Sequence, residues 1–311
     1  MKKIHMFTLF TTNKCNLNCI YCSTEAGKKL QNELTLDEKK KIILEAKDMG
    51  AKLVNICGSG EPMLDDDFYK LVGFIDSLGL NTEVVTNGTN INKKNAEWLL
   101  RHNAYIVFKL NSLNPETTDR LVGKTNAYRW TDFGNIKIPY GLKCLIDAGY
   151  NRIQRKMFFC APFQIQCIIS RYNYKDIPEI AQFCRDNGIY FFLESLIWEG
   201  KARKNRKTLE LDANEYKWLY NRLKKIMNIG FLIHQKRVSC VLERNPTIDE
   251  QGNIRICYSR DCNVGNIRKH SLMELFEKAQ TIRKKHRIAF YRGLLNKNKF
   301  KTCAGREYFK N

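Results

Sequence analysis

Apolar and polar positions along this chain follow two alternating rhythms. Over the first 200 residues, short apolar runs alternate with longer stretches whose apolar positions recur at helical spacing. The short runs predict strands at Ile4–Phe10, Leu53–Cys57, Thr82–Thr86, Ala104–Leu110, Gln164–Ser170 and Tyr190–Leu196. The longer stretches predict helices at Leu36–Met49, Asp66–Leu78, Lys93–Arg101, Tyr140–Ala148 and Asp176–Asn187. Gly50, Gly79, Gly149 and Gly188 stand where C-caps belong, and Thr35 with Glu38 has the spacing of a capping box. The alternation implies a parallel sheet covered by helices, either an open sheet or a partial barrel. In both, ligands bind at the C-terminal ends of the strands.

Near residue 200 the rhythm breaks. Lys201–Lys207 (KARKNRK) reads as a basic loop, and an amphipathic helix is expected over Ala213–Met227. From Val238 on the pattern is short and irregular, with a hairpin signal at Asp249–Asn253 and a last helix over Leu272–Lys285. The expected division is an α/β core over 1–200 and a smaller unit over 201–311, made of a linker helix and a cysteine-bearing module. That module carries Cys240, Cys257, Cys262 and Cys303. A small module with a thin core is often held together by metal. The chain shows no internal repeat.

Composition changes this picture only in part. An apolar share of 43% in 311 residues supports a core of the expected size. No run approaches the ~18 apolar residues of a membrane span, so no membrane partner is expected. The N-terminal MKKIHMFTLFTTNKC is broken by His5 and lacks a small-residue cleavage site, so it reads as a first strand and the chain as cytoplasmic. The net charge of +21 would suit phosphates, nucleic acid or acidic peptides. Lysine is spread along the whole chain, however, and no nucleic-acid-reading motif accompanies it. A nucleic-acid-binding iron–sulfur or zinc protein is therefore a remote alternative.

The cysteines say more. Cys144, Cys160, Cys167 and Cys184 sit singly in apolar surroundings, as small hydrophobes of a core do. Cys15-x3-Cys19-x2-Cys22 leaves the first strand in a loop. Three thiolates at this spacing can converge on one [4Fe–4S] face and leave one iron open to a chelating ligand. A zinc site is the alternative.

The segment CNLNCIYC resembles the CxxxCxΦC motif of the radical SAM superfamily, with Tyr21 at the aromatic place. The resemblance implies a partial (β/α)6 barrel and a [4Fe–4S] cluster bound with S-adenosyl-L-methionine. It also implies reductive cleavage to a 5′-deoxyadenosyl radical, which takes a hydrogen atom from the substrate. Gly58-Ser59-Gly60-Glu61-Pro62 resembles the family's GGEP motif. There glycines let the backbone approach a ligand, and Glu61 can pair with an ammonium. Thr86-Asn87-Gly88 ends the third strand, as in many members. The resemblance further implies ribose contacts at Asn111 and Ser112 and carboxylate contacts at Arg171 and Asn173.

Cys240-x11-Gly252-x4-Cys257 and Val264-Gly265-Asn266-Ile267 resemble the opening of the SPASM and twitch extensions, which carry auxiliary clusters. The remaining SPASM cysteine pattern is missing, and the chain ends on Phe300-Lys301-Thr302-Cys303. One auxiliary [4Fe–4S] cluster on Cys240, Cys257, Cys303 and Cys262 is thus expected, with zinc at the same thiolates as the alternative. If Cys262 is not a ligand, it is a free thiol that can give a hydrogen atom.

One auxiliary cluster as electron acceptor implies oxidation by dehydrogenation, or crosslinking, with Glu194, Tyr105 or Lys109 as base. The alternative is redox-neutral epimerisation, of a peptide among other substrates, with a cysteine as hydrogen donor. The radical motif begins at residue 15, so no leader-binding domain is expected before it. That favours a small polar metabolite, such as a sugar or aminocyclitol, slightly over a short peptide. A flavodoxin- or ferredoxin-type electron donor is implied.

Overall fold

The computed structural model describes residues 4–153, 161–227, 246–255 and 263–282. In chain order its elements are β1 (Met6–Phe10), α1 (Leu36–Asp48), β2 (Leu53–Cys57), α2 (Phe68–Ser77), β3 (Asn81–Thr86), α3 (Lys93–Arg101) and β4 (Ala104–Lys109). Then come α4 (Pro115–Val122), the hairpin β5 (Trp130–Phe133) and β6 (Ile136–Pro139), α5 (Tyr140–Asp147), β7 (Phe163–Ile168), α6 (Ile177–Asp186) and β8 (Tyr190–Glu194). Last are α7 (Gly200–Lys204), α8 (Arg206–Leu209), α9 (Ala213–Ile226), β9 (Thr247–Ile248), β10 (Asn253–Arg255) and β11 (Asn263–Asn266). Residues 272–282 are helical.

Nine strands form one sheet in the order β11-β10-β9-β1-β2-β3-β4-β7-β8. The six from β1 to β8 are parallel. With their crossover helices they make the expected partial (β/α)6 barrel. Parallel strands are covered on both faces, and Val54, Ile56, Ile106, Phe108, Ile165 and Phe191 are accordingly buried. The helices begin where their sequences cap them. Thr35 with Glu38, Asn92 with Asn95, and Asp212 with Glu215 form reciprocal capping boxes.

Five elements go beyond the sequence pattern: α4, the two strands β5 and β6, and the helices α7 and α8. Helix α4 starts on Asn114-Pro115, which reads locally as a turn but is a cap followed by proline at the first helical position. The β5–β6 hairpin turns at Gly134, whose φ is +59°. The expected basic loop 201–207 is two short helices, α7 and α8.

The C-terminal strands extend the same sheet. β9 pairs parallel with β1, Thr8 opposite Thr247, and β10 and β11 follow antiparallel. The described part of the smaller unit therefore shares a sheet with the core, on the far side of β1 from β2. Leu272, Leu275, Phe276 and Ala279 bury one face of the helical segment 272–282. Among the described residues no helix is long and apolar enough to cross a membrane.

Candidate active site

Two loops meet at the C-terminal ends of β1 and β2. The cysteine loop after β1 is fastened by its backbone. The Cys15 amide donates to the Gly27 carbonyl at 2.8 Å, and the amides of Asn18 and Ile20 donate to Val122 and Leu121 at the end of α4. The amide of Lys201, at the start of α7, donates to the Cys22 carbonyl at 2.9 Å. The glycine loop after β2 lies directly against this loop. The Gly60 amide reaches the Thr12 carbonyl at 3.0 Å, and the Glu61 amide reaches Lys14 at 2.7 Å. A Cβ on Gly60 would stand 2.0 Å from the Lys14 carbonyl oxygen. The glycine expected to admit a ligand thus admits the neighbouring loop.

The three thiols are half-buried. Burial pushes Cys15 up. Burial also pushes Cys19 up to about 12, against a hydrogen bond from the Tyr21 hydroxyl. Cys22 goes the other way. Burial would raise it, but the Thr24 hydroxyl and the amides of Ala26, Thr24 and Glu25 outweigh that and hold it below the usual thiol range. Among the described residues, no three Cys, His, Asp or Glu side chains converge on a point for one ion. Three soft thiol ligands on one half-buried loop, with Cys22 held toward its thiolate by the Thr24 hydroxyl and neighbouring amides, fit a cluster site.

Glu61 is buried and already engaged. Its carboxylate accepts from Thr86 Oγ1 at 2.6 Å, from the Asn87 amide at 2.7 Å and from the Met63 amide at 3.2 Å. Burial raises its pKa despite these bonds. It joins the glycine loop to the end of β3, and the expected pairing with an ammonium would share a carboxylate that the fold already uses. Pro62 opens a short 3-10 turn. Asn87 Nδ2 donates to Asn16 Oδ1 at 3.0 Å, tying the β3 end to the cysteine loop. Ser59 Oγ donates to Glu250 Oε2 at 2.7 Å.

The residues expected past β4 and β7 are placed differently. Asn111 Nδ2 donates to Tyr21 Oη at 2.6 Å, and its Oδ1 accepts from the Ile168 amide. Ser112 Oγ donates to Asp176. Asn173 is fully buried, its Nδ2 on the carbonyls of Asn111 and Ile168 and its Oδ1 on Ser170. Arg171 is exposed, with Nε 3.1 Å from Glu215 of α9. The structure gives these four side chains partners within the fold.

Strand register assembles a polar wall. Asn55, Glu83 and Tyr105 lie side by side on one face, and Lys109, Gln166 and Phe192 lie in register nearer the strand ends. Glu194 is two residues beyond Phe192 on that face, and Cys57 two beyond Asn55. Gln166 Nε2 donates to Glu194 Oε2 at 2.7 Å. Burial raises the Glu194 pKa, opposed by Lys109. For Lys109, burial disfavours the ammonium, but Glu194, Cys57, Cys19 and Cys22 outweigh it and the pKa rises. Tyr105 lies four residues before Lys109, about 13 Å deeper at strand spacing.

Cys57, Gln166 and Glu250 escaped sequence reasoning. Gln164 and Gln166 alternate with Phe163, Ile165 and Cys167 inside a run otherwise fit for burial, and that polar alternation was the available signal. Cys57 ends β2 directly before the glycine loop. Cys144, Cys167 and Cys184 are buried as expected. Cys160, Cys240, Cys257, Cys262 and Cys303 lie outside the described residues. Two cavities of about 220 and 320 Å³ lie away from the cysteine loop, one against Tyr150 and Phe163, the other between Arg185 and Met227.

Residues 9–133 match the family model described as Radical SAM superfamily. A probable GTP 3′,8-cyclase of Methanothermobacter thermautotrophicus is 26% identical over 58% of this chain and 53% of its own length. The mycofactocin maturase MftC of Mycolicibacterium smegmatis is 27% identical over 68% of this chain and 49% of its own. The chain spans about half the length of the curated relatives it matches. Among solved structures, Streptococcus suis SuiB bound to S-adenosylmethionine superposes with a TM-score of 0.65 at 18% identity, covering 90% of this chain and 68% of that one. SuiB bound to precursor peptide SuiA gives a TM-score of 0.61 at 17% identity, covering 89% and 65%. These likenesses show the fold.

Proposed function

We propose that this chain, whose residues 9–133 match the radical SAM family model, is a radical SAM enzyme that oxidises a peptide or a small polar substrate. The observation that carries this reading is the meeting of the cysteine loop with the Gly58–Glu61 loop at the ends of β1 and β2. When bound, the [4Fe–4S] cluster and S-adenosylmethionine supply the 5′-deoxyadenosyl radical that removes a hydrogen atom from the substrate. Cys15, Cys19 and Cys22 would hold the cluster, and the amides around Cys22 favour its thiolate.

The polar wall serves the substrate. Glu194 is the proton acceptor in this reading, because burial lifts its pKa toward the range of a useful base. Lys109 stays an ammonium and holds Glu194 and the substrate in place. Tyr105 lies too deep to share that task. Oxidation needs an electron acceptor, and that role falls to the auxiliary cluster expected on Cys240, Cys257, Cys262 and Cys303. A PqqA peptide cyclase of Bradyrhizobium diazoefficiens, 26% identical over 64% of this chain, and the peptide-bound SuiB structure support a peptide over the sugar-like substrate favoured by the sequence alone.

Anaerobically reconstituted protein tests this. It should hold about eight irons per chain, as two four-iron clusters require, and release 5′-deoxyadenosine when reduced with S-adenosylmethionine. Protein with about four irons that still cleaves S-adenosylmethionine would remove the auxiliary cluster. Absence of cleavage would end the whole reading.

A further inference from the structure

The β9–β10 hairpin has no part in the chemistry above, yet its turn ends on the glycine loop. Glu250 is 2% exposed and Ser59 5% exposed. The Ser59 hydroxyl donates to Glu250 Oε2 at 2.7 Å, across 191 residues of sequence. The Glu250 carbonyl in turn accepts the Leu34 amide at 2.7 Å. On the other side of the loop, the Ser59 carbonyl accepts Thr24 Oγ1 at 2.6 Å, and that hydroxyl is 3.3 Å from Cys22 Sγ. Glu250, Ser59, Thr24 and Cys22 thus form one connected line from the C-terminal hairpin to a candidate cluster ligand.

Removing a carboxylate from water is costly unless donors meet it. A hairpin needed only to cover the sheet edge would be served by an apolar residue at this turn. The strands themselves already join β9 to β1. The buried carboxylate instead fixes the rotamer of one residue in the Gly58–Glu61 loop. It does so by committing that residue's hydroxyl to the hairpin.

We infer that Glu250 is a positioning residue: through Ser59 it holds the glycine loop in the shape that receives S-adenosylmethionine. This rests on the radical SAM reading. It makes residues 246–255 part of the cofactor site.

The test measures S-adenosylmethionine affinity of the reconstituted, full-length enzyme by equilibrium dialysis, with iron content and thermal midpoint followed in parallel. Ser59→Ala and Glu250→Ala should each weaken binding about tenfold, the cost of one lost charge-assisted hydrogen bond. The double variant should lose clearly less than the sum of the two single losses, since both remove the same link. Glu250→Gln keeps an acceptor for Ser59 and should restore affinity to within about twofold, as a weaker neutral bond allows. Unchanged affinity in Ser59→Ala, a change small enough to leave the fold intact, overturns the proposal. Additive losses in the double variant also overturn it. If the wild-type enzyme binds no S-adenosylmethionine, the radical SAM reading itself has failed, which is a different result.

Discussion

The two sides of the barrel mouth carry similar polar residues and use them differently. At the ends of β1, β2 and β3, the cysteine loop, the glycine loop and Asn87 bond mainly to one another across loops. The three thiols of this loop are half-buried. At the ends of β4 and β7, Asn111 bonds to Tyr21 of the cysteine loop and to the end of β7, Asn173 to the ends of both strands and Ser112 to Asp176 at the start of α6, while Arg171 turns outward to α9. A polar residue just past a strand end is therefore not by itself a ligand contact. The backbone there loses its sheet partners, and asparagine or serine can replace them. On the β1 side the two loops pack backbone to backbone; on the β7 side the hydrogen bonds of single side chains hold the strand ends.

The largest expected effect tests the closeness. Gly60→Ala puts a methyl group 2.0 Å from the Lys14 carbonyl, and backbone cannot swing aside as a side chain can. The two loops must part, at about 1–3 kcal/mol of overpacking. Iron uptake during reconstitution should fall sharply, as read by iron per chain. Full iron loading would mean that the loops act independently.

The next effect tests the satisfied side. Asn173→Ala strips the donor from two buried carbonyls and should cost about 2–3 kcal/mol in denaturant unfolding. Arg171→Ala breaks only an exposed pair and should cost under about 1 kcal/mol. Arg171→Ala should also leave S-adenosylmethionine affinity within about twofold, since a ligand-held carboxylate would be worth more than that. A tenfold loss would return Arg171 to the cofactor site and erase the difference between the two sides.

Much of the architecture was legible because both periodicities are strong. β2 and α3 fall on their expected bounds, and the other core strands differ by a residue or two at their ends. The grouping of Cys15, Cys19 and Cys22 was legible in their spacing, and the fold sets all three half-buried in the loop after β1. Helix α4 was hidden behind Asn-Pro, and the helices α7 and α8 behind a charge run. The purpose of Gly60 and the partners of Ser59 and Asn173 were not legible, because each depends on a residue far away in sequence. Ser59 meets Glu250, and no local pattern announces that.

The smallest expected effect asks how firmly the C-terminal hairpin is fastened to the β1 side. Arg268, just past β11, meets Glu38 of α1 with both ends of its guanidinium, Nε to Oε1 at 2.6 Å and Nη2 to Oε2 at 2.9 Å. The hydrogen bonds of Arg268, helped by the Thr35 amide, outweigh burial and hold the Glu38 carboxyl down at about 2. A carboxyl lowered on folding contributes its stability in full above its ordinary value of 4.5 and loses it as pH falls toward 2. The pair is about one-third exposed, so its worth is near the upper end for surface pairs, about 1 kcal/mol. Glu38→Gln should therefore lower the thermal midpoint by about 2 °C at neutral pH. The gap between variant and wild type should narrow as the solution is acidified through the window from 4.5 to 2. A gap that stays constant through that window would mean that the Glu38 charge does not fasten the hairpin to α1.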